Sequence, residues 1–300
     1  MGCLWAARLC QVGASVTLVL RSDDDVRRFM TQAGGQLSLE EPDAAEYFAV
    51  GASTAPELSE PIHLLLVATK AQDAEAALAC VRHAITPQTR IVMLQNGIKV
   101  QRQVFVDFGP HRVYCLSTSQ GAWLRAPFHV VHAGSGETWL GQLGQGGTID
   151  AALLQSLPVE AMGITTDADI ESRLWRKLAV NCAVNALTVL YDCPNGELLA
   201  HPQARKELLA VCAEIETLYA ALPETPRLND LVGQVDSVLK ATAQNFSSTL
   251  QDFRSGKVSE LSQLNDYLCE LARSHGRACS VNQLIMQRFH ALNDQRKSID

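Results

Sequence analysis

Apolar residues come in short unbroken runs over the first half of the chain and at helical spacing over the second. Ser15-Val16-Thr17-Leu18-Val19-Leu20, Ile62-His63-Leu64-Leu65-Leu66-Val67-Ala68-Thr69-Lys70 and Arg90-Ile91-Val92-Met93-Leu94-Gln95-Asn96-Gly97 each read as a buried strand that ends at a charged residue or a turn. A helix is predicted from Gly2 to Cys10, closed by Gly13, and another after Lys70 through about Val81. From Arg112 the runs shorten. Val113 to Ser119, Phe128 to Ala133 and Thr138 to Leu140 predict a small, partly antiparallel addition to the sheet. Gly134, Gly136, Gly141, Gly144, Gly146 and Gly147 punctuate it, and no Gly-Lys-Ser/Thr follows to make a phosphate loop. A helix over 151–156 and a strand around Ile164-Thr165-Thr166 close a first domain, 1–167. The remainder, 168–300, reads as all-helical, with helices at roughly 202–221, 228–254, 258–275 and 281–296 broken at Pro223, Pro226, Gly256 and Gly276.

A helix, a glycine and a hydrophobic strand ending in a charged residue form the back half of a dinucleotide-binding βαβ unit, so the first domain is expected to be α/β of the Rossmann type. Its front half, a strand and the first two glycines of G-x-G-x-x-G, is missing; Gly2 stands for the third glycine. Two strands should then lack a shared neighbour. The expectation is that the sequence starts at a methionine inside a longer reading frame, which the upstream genomic codons would reveal.

Ligands of open α/β sheets bind at the carboxyl ends of the strands, which places Arg21, Lys70 and Asn96 on one rim. At the end of the second strand an acid accepts the ribose hydroxyl of NAD, whereas an arginine such as Arg21 pairs with the 2′-phosphate of NADP. Taken singly, Arg21 also fits a surface strand cap that Asp23, Asp24 or Asp25 could engage. Lys70 alone fits a solvated strand end, and Asn96-Gly97 a simple turn.

Composition narrows the class. Across 300 residues, 47% are hydrophobic and 19% charged, a globular balance, and the net charge of −7 argues against nucleic acid as the main partner. Nine cysteines without C-x-x-C spacing fit reduced thiols in a cytoplasmic protein better than a disulfide frame or a zinc site. No run reaches membrane-spanning length, and no metal or membrane partner is expected. A monomer or a homodimer acting on a small molecule fits this picture.

The chemistry is expected on the helix that opens the second domain. Lys177, Asn181 and Asn185 recur at i, i+4 and i+8, an ammonium and two carboxamides aligned among Leu174, Leu178, Val180, Ala183, Val184 and Leu187. One such residue alone is ordinarily part of a solvated face. Three aligned on an apolar helix need partners, and a desolvated lysine releases its proton more readily. Asn245, Ser247 and Ser248 on one long helix, and Glu260 at the start of the next, are further candidates for contact with a ligand. Against that, the serines also serve to interrupt a helix, and acids favour a helix N-terminus.

Leu174-Trp175-Arg176-Lys177-Leu178 with Asn181 and Asn185, followed by Cys193-Pro194-Asn195-Gly196-Glu197-Leu198, resembles the signature helix of the ketopantoate reductase family. Asn245-Phe246-Ser247-Ser248-Thr249-Leu250-Gln251-Asp252 with Glu260 resembles its second signature, and Leu94-Gln95-Asn96-Gly97 a third. The resemblance implies NADPH-dependent reduction of 2-dehydropantoate to (R)-pantoate in cytoplasmic pantothenate biosynthesis. It also implies Lys177 as proton donor and contacts to the keto acid substrate from Asn96, Asn181, Asn185, Asn195, Asn245, Ser248 and Glu260. Gly2, Arg21, Lys70, Asn96, Ala122 and Glu260 match positions toward NADPH, while the glycine-rich start of the family pattern is absent except for Gly2. Two alternatives stay open: a related reductase of another 2-keto acid, and an inactive dinucleotide-binding relative.

Overall fold

Helix α1 (Gly2–Gln11) is apolar nearly all round because it lies between two cores. Trp5 and Leu9, one turn apart, pack with Val92, Tyr114, Leu116 and Leu140. On its other side Leu4, Ala6 and Ala7 pack against Leu37, Leu39 and Val130. Burying each large side chain of this kind contributes about 1.5–3 kcal/mol. The structure, a computed structural model, describes residues 1–144 and 149–297, so Gly146 and Gly147 lie outside the described residues.

After α1 come β1 (Thr17–Leu20), α2 (Asp23–Gln32), β2 (Gln36–Glu41), β3 (Ala44–Ala49), β4 (Gly51–Thr54), β5 (Ile62–Val67), α3 (Ala71–Cys80) and β6 (Ile85–Met93). They are followed by α4 (Lys99–Phe108), β7 (Val113–Thr118), β8 (Gly121–Ala126), β9 (His129–Gly134), β10 (Thr138–Gln142), α5 (Ala151–Ser156) and β11 (Ile164–Thr166). The main sheet has the order β11-β10-β7-β6-β5, with β5, β6 and β7 parallel and β10 antiparallel to β7. A separate parallel pair joins β1 to β4. Both β1 and β5 are therefore edge strands, as the sequence predicts for two strands that lack a common neighbour. Their apolar residues show it: Leu64, Leu65 and Leu66 are only partly buried, and Val19 is 39% exposed.

The strand at Phe128 to Ala133 is not an addition to the main sheet. It is β9, in a four-stranded sheet of order β3-β2-β9-β8. Its partner β2 lies far back in the sequence, with Leu39 opposite Val130, and local periodicity carries no information about that pairing. The 36–54 strands and helices α2 and α4 were absent from the sequence expectation. In β2 only Leu37 and Leu39 point to the core, a pattern too short to stand out before α1 is there to cover it.

Two packing units result, Met1–Gln95 with Val100–Glu171, and Asn96–Lys99 with the chain from Ser172 onward. The first is α/β of the Rossmann type; the second is helical. It contains α6 (Ile170–Leu190, from its third residue), α7 (Glu197–Ala200), α8 (Pro202–Ala221), α9 (Leu231–Ala241), α10 (Ser248–Arg254), α11 (Asn265–Ser274) and α12 (Ser280–Lys297). The single helix expected over 228–254 is in fact two, α9 and α10. The connection between them is turned outward because the Ala243 and Asn245 carbonyls accept hydrogen bonds from the Gly196 and Asn195 N–H groups at 3.0 and 2.9 Å. The helix expected over 258–275 likewise begins as a 3-10 turn, Glu260–Gln263, before α11. Among the described residues no helix is long and apolar enough to cross a membrane.

Candidate active site

Helix α6 buries Leu174, Trp175, Leu178, Cys182, Ala183, Val184, Ala186 and Leu187, so its polar stripe is the exception along its length. Lys177 and Asn181 remain partly exposed and Asn185 is buried. The stripe extends one step further than the sequence suggested, to Thr188. That hydroxyl donates to the Asn185 carbonyl at 2.8 Å and lies 2.6 Å from Ser247 Oγ. A threonine three residues after Asn185, on the same helical face, was the available signal.

Ser247 turns out to be the N-cap of α10, its Oγ accepting from the Leu250 N–H at 3.0 Å. Docked on Thr188, it is buried, while the next residue, Ser248, is exposed. The two serines thus divide the work: one starts the helix and anchors it to α6, the other is accessible. Asn245 is exposed in the turn before them.

Desolvation pulls the Lys177 amine from an ordinary 10.5 down to about 8, and the Glu260 carboxylate acts against that fall. Glu260 also accepts a hydrogen bond from Asn96 Nδ2 at 3.1 Å. Next to Asn96, Gly97 adopts φ +89°, and a Cβ there would come within 3.0 Å of the Gln263 carbonyl, so this close approach to the Glu260 turn needs glycine. Lys177, Asn96 and Glu260, widely separated in sequence, are therefore brought into one electrostatic group within the helical unit.

Asn195 has a different setting. It is 8% exposed, its Nδ2 donates one hydrogen to Thr242 Oγ1 at 2.9 Å, and its Oδ1 has no hydrogen-bond partner among the described residues. Its neighbour Gly196 has the ordinary helical φ of −65°, yet an added Cβ would lie 2.7 Å from Ala243 Cβ. Gly196→Ala is accordingly expected to cost about 1–3 kcal/mol by overpacking. Urea unfolding monitored by circular dichroism checks it, and an unchanged midpoint would mean that the turn at 242–245 yields freely.

In the α/β unit Arg21 follows the end of β1 and Lys70 the end of β5, whereas Asn96 belongs to the helical packing unit. A Cβ on Gly2, at the start of α1, would lie 3.2 Å from Ala68 Cβ, just past β5, and Arg21, just past β1, reaches Asp73 in the first turn of α3. Lys70 is the N-cap residue of that helix. Gln95, unremarked in the sequence, ties the end of β6 to the end of β5 by donating to the Val67 and Thr69 carbonyls at 2.7 and 3.1 Å. Asp24 and Asp25 pair with Arg27 and Arg28 of their own helix, leaving Arg21 with Asp73 at a marginal 4.0 Å and 85% of its side chain exposed. Ser22 caps α2 and donates to Asp25 at 2.9 Å. Ala122 lies on β8, partly buried against the α1 core.

A Rossmann-type α/β unit followed by a helical unit that carries a desolvated lysine beside a carboxylate is the layout of a class of two-part oxidoreductases. The chain belongs to the ketopantoate reductase PanE/ApbA family: that family's model matches residues 1–145, and the model of its C-terminal part matches residues 169–293. It is 32% identical over 219 residues to a 2-dehydropantoate 2-reductase of Yersinia pestis, covering 73% of this chain and 70% of that protein. In fold it is similar to a PanE/ApbA family ketopantoate reductase from Ralstonia eutropha JMP134, with TM-score 0.85 and 23% identity over 99% of this chain and 96% of that one. A D-mandelate dehydrogenase solved with NADH and anilino(oxo)acetate gives TM-score 0.87 at 21% identity, over 98% of this chain and 96% of that one.

Proposed function

We propose that the chain reduces 2-dehydropantoate to (R)-pantoate with NADPH, a cytoplasmic step toward pantothenate. The observation that carries this reading is the Lys177 amine, held on an apolar helix and lowered to about 8 by desolvation, with the Glu260 carboxylate acting on it. Reducing a ketone builds negative charge on its oxygen. An ammonium in hydrogen-bond reach stabilises that charge and then releases a proton to it, most readily when its pKa lies near the working pH.

The α/β unit fits a nicotinamide dinucleotide on two observations. The first turn of α1 has neither an acidic residue nor a side-chain cap, so its N–H groups suit a diphosphate. Arg21 is exposed and only weakly engaged by Asp73, which suits a 2′-phosphate. Gly2, Lys70 and Ala122 are assigned to the same ligand. When bound, the reduced nicotinamide supplies a hydride to the carbonyl carbon. On this reading Asn96, Asn181, Asn185 and Ser248 hold the substrate's carboxylate and hydroxyl with groups whose charge does not change with pH. Glu260 orients Asn96 and keeps Lys177 protonated further into the alkaline range.

The test is turnover of a panel of 2-keto acids with NADPH and with NADH. Fastest reduction of 2-dehydropantoate with NADPH is the expected result. Arg21→Ala should raise KM for NADPH roughly tenfold or more, as loss of a charged hydrogen bond does, and leave NADH unaffected. A preference for NADH, or for another keto acid, replaces the corresponding part of the assignment.

A further inference from the structure

A chain of buried polar groups runs through the helical unit without touching the chemistry just described. Asn265, fully buried at the start of α11, donates one amide hydrogen to the Cys182 carbonyl of α6 at 2.8 Å and another to Asn282 Oδ1 at 2.9 Å. Asn282, fully buried in the first turn of α12, donates in turn to Glu214 Oε2, at 2.9 Å from its side chain and 2.8 Å from its backbone. The Val281 N–H meets the other oxygen of Glu214 at 2.8 Å. Glu214 belongs to α8, so four helices are linked through one string of hydrogen bonds.

Packing alone does not account for Asn265. Its Oδ1 has no hydrogen-bond partner among the described residues, and a buried acceptor left without a donor is destabilising. An apolar side chain would suit a core position better, so what the asparagine contributes is its two donations. Their position is informative. Cys182 follows Lys177 by five residues on α6, and Asn265 follows Glu260 by five residues.

Between Glu260 and Asn265 the backbone passes through the 3-10 turn Glu260–Gln263 and Leu264, whose φ of −114° and ψ of −91° belong to no helix. A short 3-10 turn with poor hydrogen-bond geometry is weak support for a functional carboxylate. The Asn265–Cys182 bond is where the segment just after Glu260 is fastened to the helix that carries Lys177.

We propose that Asn265, braced by Asn282 and Glu214, is a positioning residue that keeps the Glu260 carboxylate in register with the Lys177 amine. The proposal rests on the roles given to those two residues above. It is tested on the full chain by measuring how fast acetic anhydride, in trace amounts, acetylates Lys177 across the neutral-to-alkaline range, with the labelled peptide read by mass spectrometry. The parent midpoint is expected at about 8. Glu260 is the charge that raises it, so Asn265→Ala should lower the midpoint by about one unit, the low end of what a nearby opposite charge supplies.

Glu260→Gln should give the same fall, and the double variant should go no lower than Glu260→Gln alone. An unmoved midpoint in an Asn265→Ala protein of normal helical circular dichroism overturns the proposal, as does full additivity in the double variant. If Asn265→Ala does not fold, Asn282→Ala takes its place: a lowered midpoint supports the brace and an unchanged one overturns it. Acetylation needs neither cofactor nor keto acid. A shifted midpoint in a chain that turns over no keto acid would therefore remove the catalytic reading and leave the positioning intact.

Discussion

Lys177→Ala is expected to lower turnover roughly 10²–10⁴-fold, the range for loss of a positioned general acid. The effect should fall on kcat and leave KM for NADPH nearly unchanged, because Gly2, Arg21, Lys70 and Ala122, proposed to hold the dinucleotide, lie in the other packing unit. Stopped-flow reduction of 2-dehydropantoate at saturating NADPH checks it, and a loss below about tenfold in a variant that binds NADPH normally removes Lys177 from the role of acid. The same amine is expected to govern the pH profile. A general acid must carry its proton, so kcat should hold on the acid side and decline through a midpoint of about 8, where burial has brought Lys177 down from 10.5. Since Glu260 opposes that lowering, Glu260→Gln should move the alkaline limb to lower pH; movement the other way would mean that the two groups do not interact as described.

Trp175→Ala should produce the largest loss of stability, about 3–5 kcal/mol, from the cavity left by a fully buried indole. Trp175 is completely inaccessible, stacks on Tyr267 with ring centroids 6.1 Å apart and meets Tyr219 edge-on at 5.8 Å. The Tyr219 hydroxyl donates to the Trp175 carbonyl at 2.8 Å, so the cavity also loosens the α6–α8 contact two residues from Lys177. Chemical denaturation gives the number, and a change under about 1 kcal/mol would mean that the surrounding core closes over the gap. Trp175→Phe, which keeps an aromatic face for Tyr267, should recover a large part of the loss.

The periodic part of the fold was legible because its causes are local. Unbroken apolar runs marked β5 and β6, and α5, α8 and β11 fell at their predicted limits, since a run of apolar strand residues and a long helix with one apolar face each leave a signature within a few residues. The four-stranded sheet was not legible, because β2 and β9 pair across most of the α/β unit. The break between α9 and α10 was missed for a related reason: it is stabilised by the N–H groups of Asn195 and Gly196, well outside any local window.

The sequence by itself determined the candidate stripe, since spacing alone puts Lys177, Asn181 and Asn185 on one face of a helix that from Leu178 onward is otherwise largely apolar. Only the tertiary structure decided what that stripe faces. It brought Glu260 within electrostatic reach of the amine, paired Glu260 with Asn96, docked Ser247 on Thr188, and gave one Asn195 amide hydrogen to Thr242. The reason is physical: helical geometry is fixed by neighbours along the chain, whereas the charge state of a desolvated amine depends on which distant groups the packing brings within reach of it.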